Sequence, residues 1–193
     1  YNSLLHIPSA KGEAAVFGSA VHHAFKLLFT KMLAGKEEKN VPVFPGVDTL
    51  IEDFKQYMFW NRENFTTVSY NRRLEYGEEI LRNHYEKYVA TWNKIVKVEF
   101  NVKGVIVNGV PIKGQLDKIE FMGKDVNIVD YKTGDPEKST DKLKGPSDKN
   151  PDGGSYWRQA VFYKLLVDNF RQKDWNVVSA EFDFVEPGKN KIG

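Results

Sequence analysis

Apolar and polar positions divide this chain into a helical first half and a strand-rich second half. Phe17, Val21, Phe25, Leu28, Phe29 and Met32 recur at three- and four-residue spacing, which predicts a helix over 14–34. Gly35 and the charged run Lys36–Lys39 are expected to end it, ahead of a loop containing Pro42 and Pro45. Leu50, Ile51, Phe54 and Met58 predict a second helix over 48–60 with Asp48 as its N-cap. Leu74, Leu81, Tyr85, Tyr88 and Trp92 predict a third over about 69–92.

The period then drops to two. Val96, Val98, Phe100 and Val102 alternate with Lys97, Glu99, Asn101 and Lys103, so Glu99 is expected on the polar face of a strand. Asn108-Gly109 between Val105–Val107 and Val110–Ile112 is a two-residue hairpin signal. Asp117 is expected to close the apolar run of Val110, Ile112 and Leu116, with a turn at Gly123 before a strand carrying Val126, Ile128 and Asp130 on one face. Residues 134–153 hold almost no apolar side chain and are expected to form a loop. A helix from about 154, with Trp157, Val161, Phe162, Leu165 and Leu166 inward, and an alternating strand Val178–Val185 complete the order. Helices, antiparallel meander, helix, strand define one α/β domain without internal repeats.

Composition narrows the possibilities. The 193 residues are 41% hydrophobic and 28% charged, as in a globular protein with a sizeable core. Residues 1–95 carry 12 basic and 11 acidic side chains and residues 96–193 carry 16 and 15, so neither half is polarised toward a polyanion. With no cysteine, disulfides, thiolate metal sites and Cys-ligated iron–sulfur clusters are excluded; a reducing, cytoplasmic location fits. No apolar run approaches the roughly 18 residues of a membrane span. A chain that starts at Tyr1 and stops at Gly193, after a Pro-Gly-Lys-Asn turn, is expected to be a piece of something longer.

Asp130 and Lys132 are two apart on a strand and share a face, and Asp117 lies 13 residues upstream across a short turn. Two acids and a lysine converging at the end of apolar strands suit a hard divalent cation and a water beside a phosphodiester. A surface ion pair is the simpler reading of Asp130 and Lys132, and a turn residue that of Asp117; the three together favour a site. His22 and His23 point about 100° apart on a helix and cannot both ligate one ion. His22 shares a face with Phe25 and Phe29, whereas His23 lies nearer Leu27 and is expected to be structural. Gln159 and Tyr163 present polar tips one helical turn apart. Arg158 is available for a phosphate contact.

Four segments resemble the RecB-like branch of the PD-(D/E)XK nuclease superfamily: Gly18-Ser19-Ala20-Val21-His22, Gly114-Gln115-Leu116-Asp117, Asp130-Tyr131-Lys132-Thr133-Gly134 and Gln159-Ala160-Val161-Phe162-Tyr163. The resemblance spans residues 18–163. It implies a restriction-endonuclease-like αβββαβ core with extra N-terminal helices, in a single domain over 1–193 belonging to a larger helicase–nuclease. It also implies Mg²⁺-dependent DNA cleavage, exonuclease-type, in recombination and double-strand-break repair, with Mn²⁺ as a substitute. Asp117, Asp130 and Lys132 would be catalytic, and His22, Asp117, Asp130 and the carbonyl of Tyr131 would hold the metal. Gln159, Tyr163, Arg158 and Glu99 would touch DNA or brace the lysine. The partners would be DNA and a helicase motor, without a membrane. The iron–sulfur staple of some relatives is ruled out by the missing cysteines. A free lysine, with a pKa of roughly 10.4, is a poor base, so Lys132 is expected to orient water or stabilise charge; a base role would need the nearby metal and burial to depress that value. The rival reading is a nuclease fold that has lost catalysis and serves as a DNA-binding or scaffolding module; retention of both acids and the lysine argues against it.

Overall fold

A computed structural model describes residues 12–35 and 42–188. The run Lys36–Lys39, and the Lys189 and Asn190 end of the Pro-Gly-Lys-Asn turn, lie outside them. Helix α1 (Glu13–Ala34) buries the expected stripe from Phe17 to Met32. Helix α2 (Val47–Trp60) follows with Gly46 at its N-cap, so Asp48 does not cap it. The Asp48 carboxylate instead accepts from Arg82 at 2.9 Å. Helix α3 (Thr67–Tyr88) starts earlier than the apolar spacing suggests, because Thr66 and Ser69 cap each other: each backbone N–H donates to the other's hydroxyl at 3.1 Å. It ends at Tyr88, and Trp92 packs back against Phe25, Phe29 and Phe44 from the following turn.

Strands β1 (Val96–Val107), β2 (Val110–Met122), β3 (Asp125–Lys132) and β4 (Asn176–Phe184) form one sheet in the order 1-2-3-4. The first three are antiparallel and β4 runs parallel to β3. A parallel neighbour needs a crossover, and helix α5 (Ser155–Asp168) is part of it. Asn108 and Gly109 both take positive φ, 47° and 80°, the hairpin geometry their pairing predicts. The mixed sheet with its helices has the restriction-endonuclease-like αβββαβ order, with α2 and α3 set between the core helix and β1.

Two cores lie on opposite faces of the sheet. Helices α1–α3 cover Val96, Val129 and Tyr131, whereas α5 covers Val102, Leu116, Ile119, Val126 and Ile128. The regular alternation expected of β1 does not hold. Val98 packs into the first core but Phe100 into the second, and between them Glu99 takes φ 50°. Opposite, Leu116 joins the second core while Lys118 lies over the rings of Phe29 and Tyr131 in the first. Both strands therefore roll over at Glu99 and Asp117. Asp117 does not end its strand, which runs on to Met122.

Helix α5 is turned relative to the expected inward set. Leu166 is buried with Tyr163 and Val167, but Val161, Phe162 and Leu165 are 38%, 36% and 43% exposed. Trp157 packs on the glycines of the preceding segment, Gly145 and Gly153. The reason for the rotation is polar: Gln159 and Tyr163 face the charged end of β3. The segment 134–153 is not a featureless loop. It holds a 3-10 turn (Glu137–Ser139), a short helix α4 (Thr140–Leu143) and a bridge between Ser147 and Asn150.

Candidate active site

The β2–β3 ladder pairs Lys118 with Val129, and one step further along the same register sets Asp117 level with Asp130. Asp130 is 4% exposed. Its Oδ1 accepts from Gln159 Nε2 at 3.0 Å and from the Tyr163 hydroxyl. Gln159 Nε2 also donates to the Tyr163 oxygen at 2.6 Å. Burial first, then the charge of Asp130 and the hydrogen bond to it, hold the Tyr163 phenol far above its ordinary range, so it remains a donor. Oδ2 of Asp130 is buried without a hydrogen-bond partner. Lys132 Nζ lies 2.6 Å from it, a charge contact that lacks hydrogen-bond alignment.

Asp117 is anchored in the same one-sided way. Its Oδ2 accepts from the Tyr131 backbone N–H at 3.1 Å and lies 3.0 Å from His22 Nδ1. Oδ1 has no partner among the described residues. Burial pulls the His22 pKa down, but the hydrogen bond to Asp117 and the charges of Asp117 and Asp130 outweigh it, and the net direction is up. The Tyr131 side chain leaves by the other face and stacks on Phe25 at 4.3 Å. His23 turns away toward Tyr57 and Trp60. Burial and then Lys26 lower its pKa.

Lys132 Nζ donates to Gln159 Oε1 at 3.0 Å, so the glutamine bridges the lysine and Asp130. The ammonium also stands 4.9 Å from the Tyr156 ring centre and 5.3 Å from that of Phe182. These two aromatics escape a reading by motif. Tyr156 had a usable signal, since 156, 159 and 163 share a helix face. Phe182 had none, because its alignment with Asp130 depends on the parallel β3–β4 register.

Motif glycines set the distances. A Cβ on Gly18 would stand 3.1 Å from Thr133 Oγ1, so α1 crosses close to the end of β3 and delivers His22 there. A Cβ on Gly114 would fall 2.8 Å from Leu166, so glycine lets α5 settle on β2.

A groove of about 500 Å³ beside the site is lined by His22, His23, Lys26, Tyr57, Glu99 and Thr133, among others. Glu99 is half-buried there, accepts from Gln115 and has Lys26 at 3.9 Å. Arg158 does not reach the carboxylates; it donates to the Gly153 carbonyl at 2.7 Å. A second cavity, about 410 Å³, opens beside Tyr88, Lys118 and Asp183, and none of His22, Asp117, Asp130 or Lys132 lines it.

Among the described residues no three His, Asp or Glu side chains converge closely enough to hold an ion. The donor chemistry nevertheless suits a hard divalent cation: two carboxylates each keep one oxygen free of hydrogen bonds, and one of these oxygens is buried. In this structure the Lys132 ammonium stands against the buried oxygen of Asp130.

A mixed sheet that brings two acids, a lysine and a braced glutamine to one end defines a nuclease fold of the restriction-endonuclease type. The sequence matches the profile of the PD-(D/E)XK nuclease superfamily over residues 1–191, and the chain belongs to that superfamily. It is a superfamily of nucleases that act on DNA and typically use divalent metals such as Mg²⁺. A comparison with curated proteins gives no match. No helix among the described residues is long and apolar enough to cross a membrane.

Proposed function

We propose that this chain is a metal-dependent deoxyribonuclease of the RecB-like branch: an exonuclease-type domain, spanning 1–193, of a cytoplasmic helicase–nuclease that serves recombination and double-strand-break repair. The observation that carries the chemistry is the level placement of Asp117 and Asp130, each with one oxygen anchored and one left over. The order of the four motifs supports the branch, and the helicase partner and repair role follow from that resemblance.

When bound, a Mg²⁺ or Mn²⁺ ion supplies Lewis-acid polarisation of the phosphoryl group and a water of lowered pKa. Asp117 and Asp130 would offer it hard carboxylate oxygens, and the His22 imidazole and the Tyr131 carbonyl would be further donors. Lys132 brings positive charge to the reacting phosphate, where it stabilises charge developing in the transition state. Gln159 and Tyr163 keep Asp130 oriented through Oδ1 and leave Oδ2 toward the site. Glu99 orients Gln115 and Lys26 at the groove.

Single-stranded and duplex DNA incubated with Mg²⁺, Mn²⁺, Ca²⁺ or EDTA test this reading. Cleavage is expected with Mg²⁺ and Mn²⁺, little with Ca²⁺, whose looser geometry activates water less well, and none in EDTA. Cleavage that persists in EDTA contradicts the mechanism. Salt-sensitive DNA binding without cleavage under any ion means an inert binding module instead.

A further inference from the structure

We infer that Tyr156 is a positioning residue for Lys132, holding the ammonium at the site when Asp130 is engaged elsewhere. The inference rests on the proposed role of Lys132 in the nuclease reaction.

Lys132 has three kinds of partner: the Asp130 carboxylate at 2.6 Å, the Gln159 amide oxygen at 3.0 Å, and the rings of Tyr156 and Phe182 at 4.9 and 5.3 Å. They respond differently when a cation occupies Asp130 Oδ2. The carboxylate charge is then shared with the newcomer, and two positive groups beside one oxygen repel. The amide and the rings lose nothing, because a ring quadrupole attracts a cation whatever becomes of the carboxylate. A lysine released by its acid has a flexible four-carbon stem and three strongly hydrated donors, and solvent competes for it. Lys132 is only 17% exposed, so the rings and the glutamine stand between it and that escape.

The aromatic seat is itself fixed from two elements. Tyr156 lies on the α5 face that carries Gln159 and Tyr163. Its ring stacks on Phe182 at 5.0 Å and 23° and lies 6.2 Å from Phe184. In β4, Phe182 is the register partner of Asp130 and Phe184 that of Lys132. Lys142 of α4 approaches the same ring at 5.1 Å. The ring thus joins the lysine to the helix that braces its acid.

The test compares wild type with Tyr156→Leu and Tyr156→Phe, each checked for folding by circular dichroism. In ¹³C-lysine spectra the Lys132 ε-methylene, assigned by its loss in Lys132→Arg, should be ring-current shifted upfield. That shift should survive Mg²⁺, survive in Tyr156→Phe and collapse in Tyr156→Leu. In steady-state DNA cleavage with Mg²⁺, Tyr156→Leu should lower kcat about tenfold at unchanged KM, the effect of losing one cation–π contact, and Tyr156→Phe should restore it. An unshifted Lys132 signal in wild type, or wild-type kcat in folded Tyr156→Leu, overturns the inference. A shifted signal in a wild type that cleaves nothing upholds the seat and sinks the nuclease reading.

Discussion

Nδ1 of His22 lies 3.0 Å from Oδ2 of Asp117, and this contact fastens helix α1 to strand β2 at the site. The raised pKa of His22 means that the folded protein holds this proton more tightly than the unfolded chain. The stabilisation is therefore fully present below the unfolded value of about 6.5 and is lost as pH rises through the folded one. In EDTA, the melting temperature of wild type should exceed that of His22→Ala by on the order of 2 °C more at pH 5.5 than at pH 8.5. A gap that widens with pH would reverse the sign of the linkage.

Asp130 is tied into the fold as well as the site, so its substitution must separate the two roles. Asp130→Ala would strip Gln159 and Tyr163 of their acceptor and Lys132 of its charge partner, and cost roughly 1–3 kcal/mol. Asp130→Asn keeps the size and an oxygen but not the charge. It should stay folded yet cleave at least about a hundredfold more slowly, as should Asp117→Ala and Lys132→Ala. Cleavage assays paired with circular dichroism measure both effects, and wild-type rates in folded Asp130→Asn would remove Asp130 from the site.

The adjacent histidines should behave differently toward metal. Mn²⁺ titrated calorimetrically should bind His22→Ala several-fold more weakly than wild type, because an imidazole donor is lost. His23, turned toward Tyr57 and Trp60, should be replaceable by alanine without change in affinity. Equal losses from both variants would contradict this division.

Gly77 on α3 lies directly against the Phe54 ring of α2. An added Cβ would stand 2.2 Å from the Phe54 ring, and Phe54 is fully buried. Alanine normally favours a helix over glycine by about 1 kcal/mol. Here the clash should outweigh that gain, and urea unfolding of Gly77→Ala should show a net loss of about 1–3 kcal/mol. Greater stability in the variant would mean that the helices separate easily.

The sequence made the helices, the Asn108-Gly109 turn and the shared face of Asp130 and Lys132 legible, since each depends on neighbours within a few residues. It missed what depends on partners far along the chain. The Thr66–Ser69 capping box carries a weak signal, because Thr-x-x-Ser lacks the usual Glu or Gln. Val161, Phe162 and Leu165 looked inward by hydrophobicity, whereas α5 is oriented by Gln159 and Tyr163, whose polar partners lie on β3. The α4 turns were hidden in a polar segment with no apolar period to reveal them. Within the candidate site, the grouping of the two acids and the lysine is legible from spacing and motif. The bracing of Asp130 through one oxygen and the aromatic faces around Lys132 could not, because both require the packing of α5 and β4 on β3.

The rollover at Glu99 and Asp117 bears on how the sheet chooses its alignment. In a regularly alternating pair, a slip of two residues returns every side chain to its original face, so only odd slips are heavily penalised. A pair whose sides exchange at one point has no such freedom. Sliding β1 along β2 by two would set the crossover of one strand against a straight stretch of the other and drive Phe100 or Leu116 into the wrong core. The irregularity beside Asp117 thus acts as a detent, adding to the Asn108-Gly109 turn and the register shift between Val102 and Val105 in fixing where the acid sits.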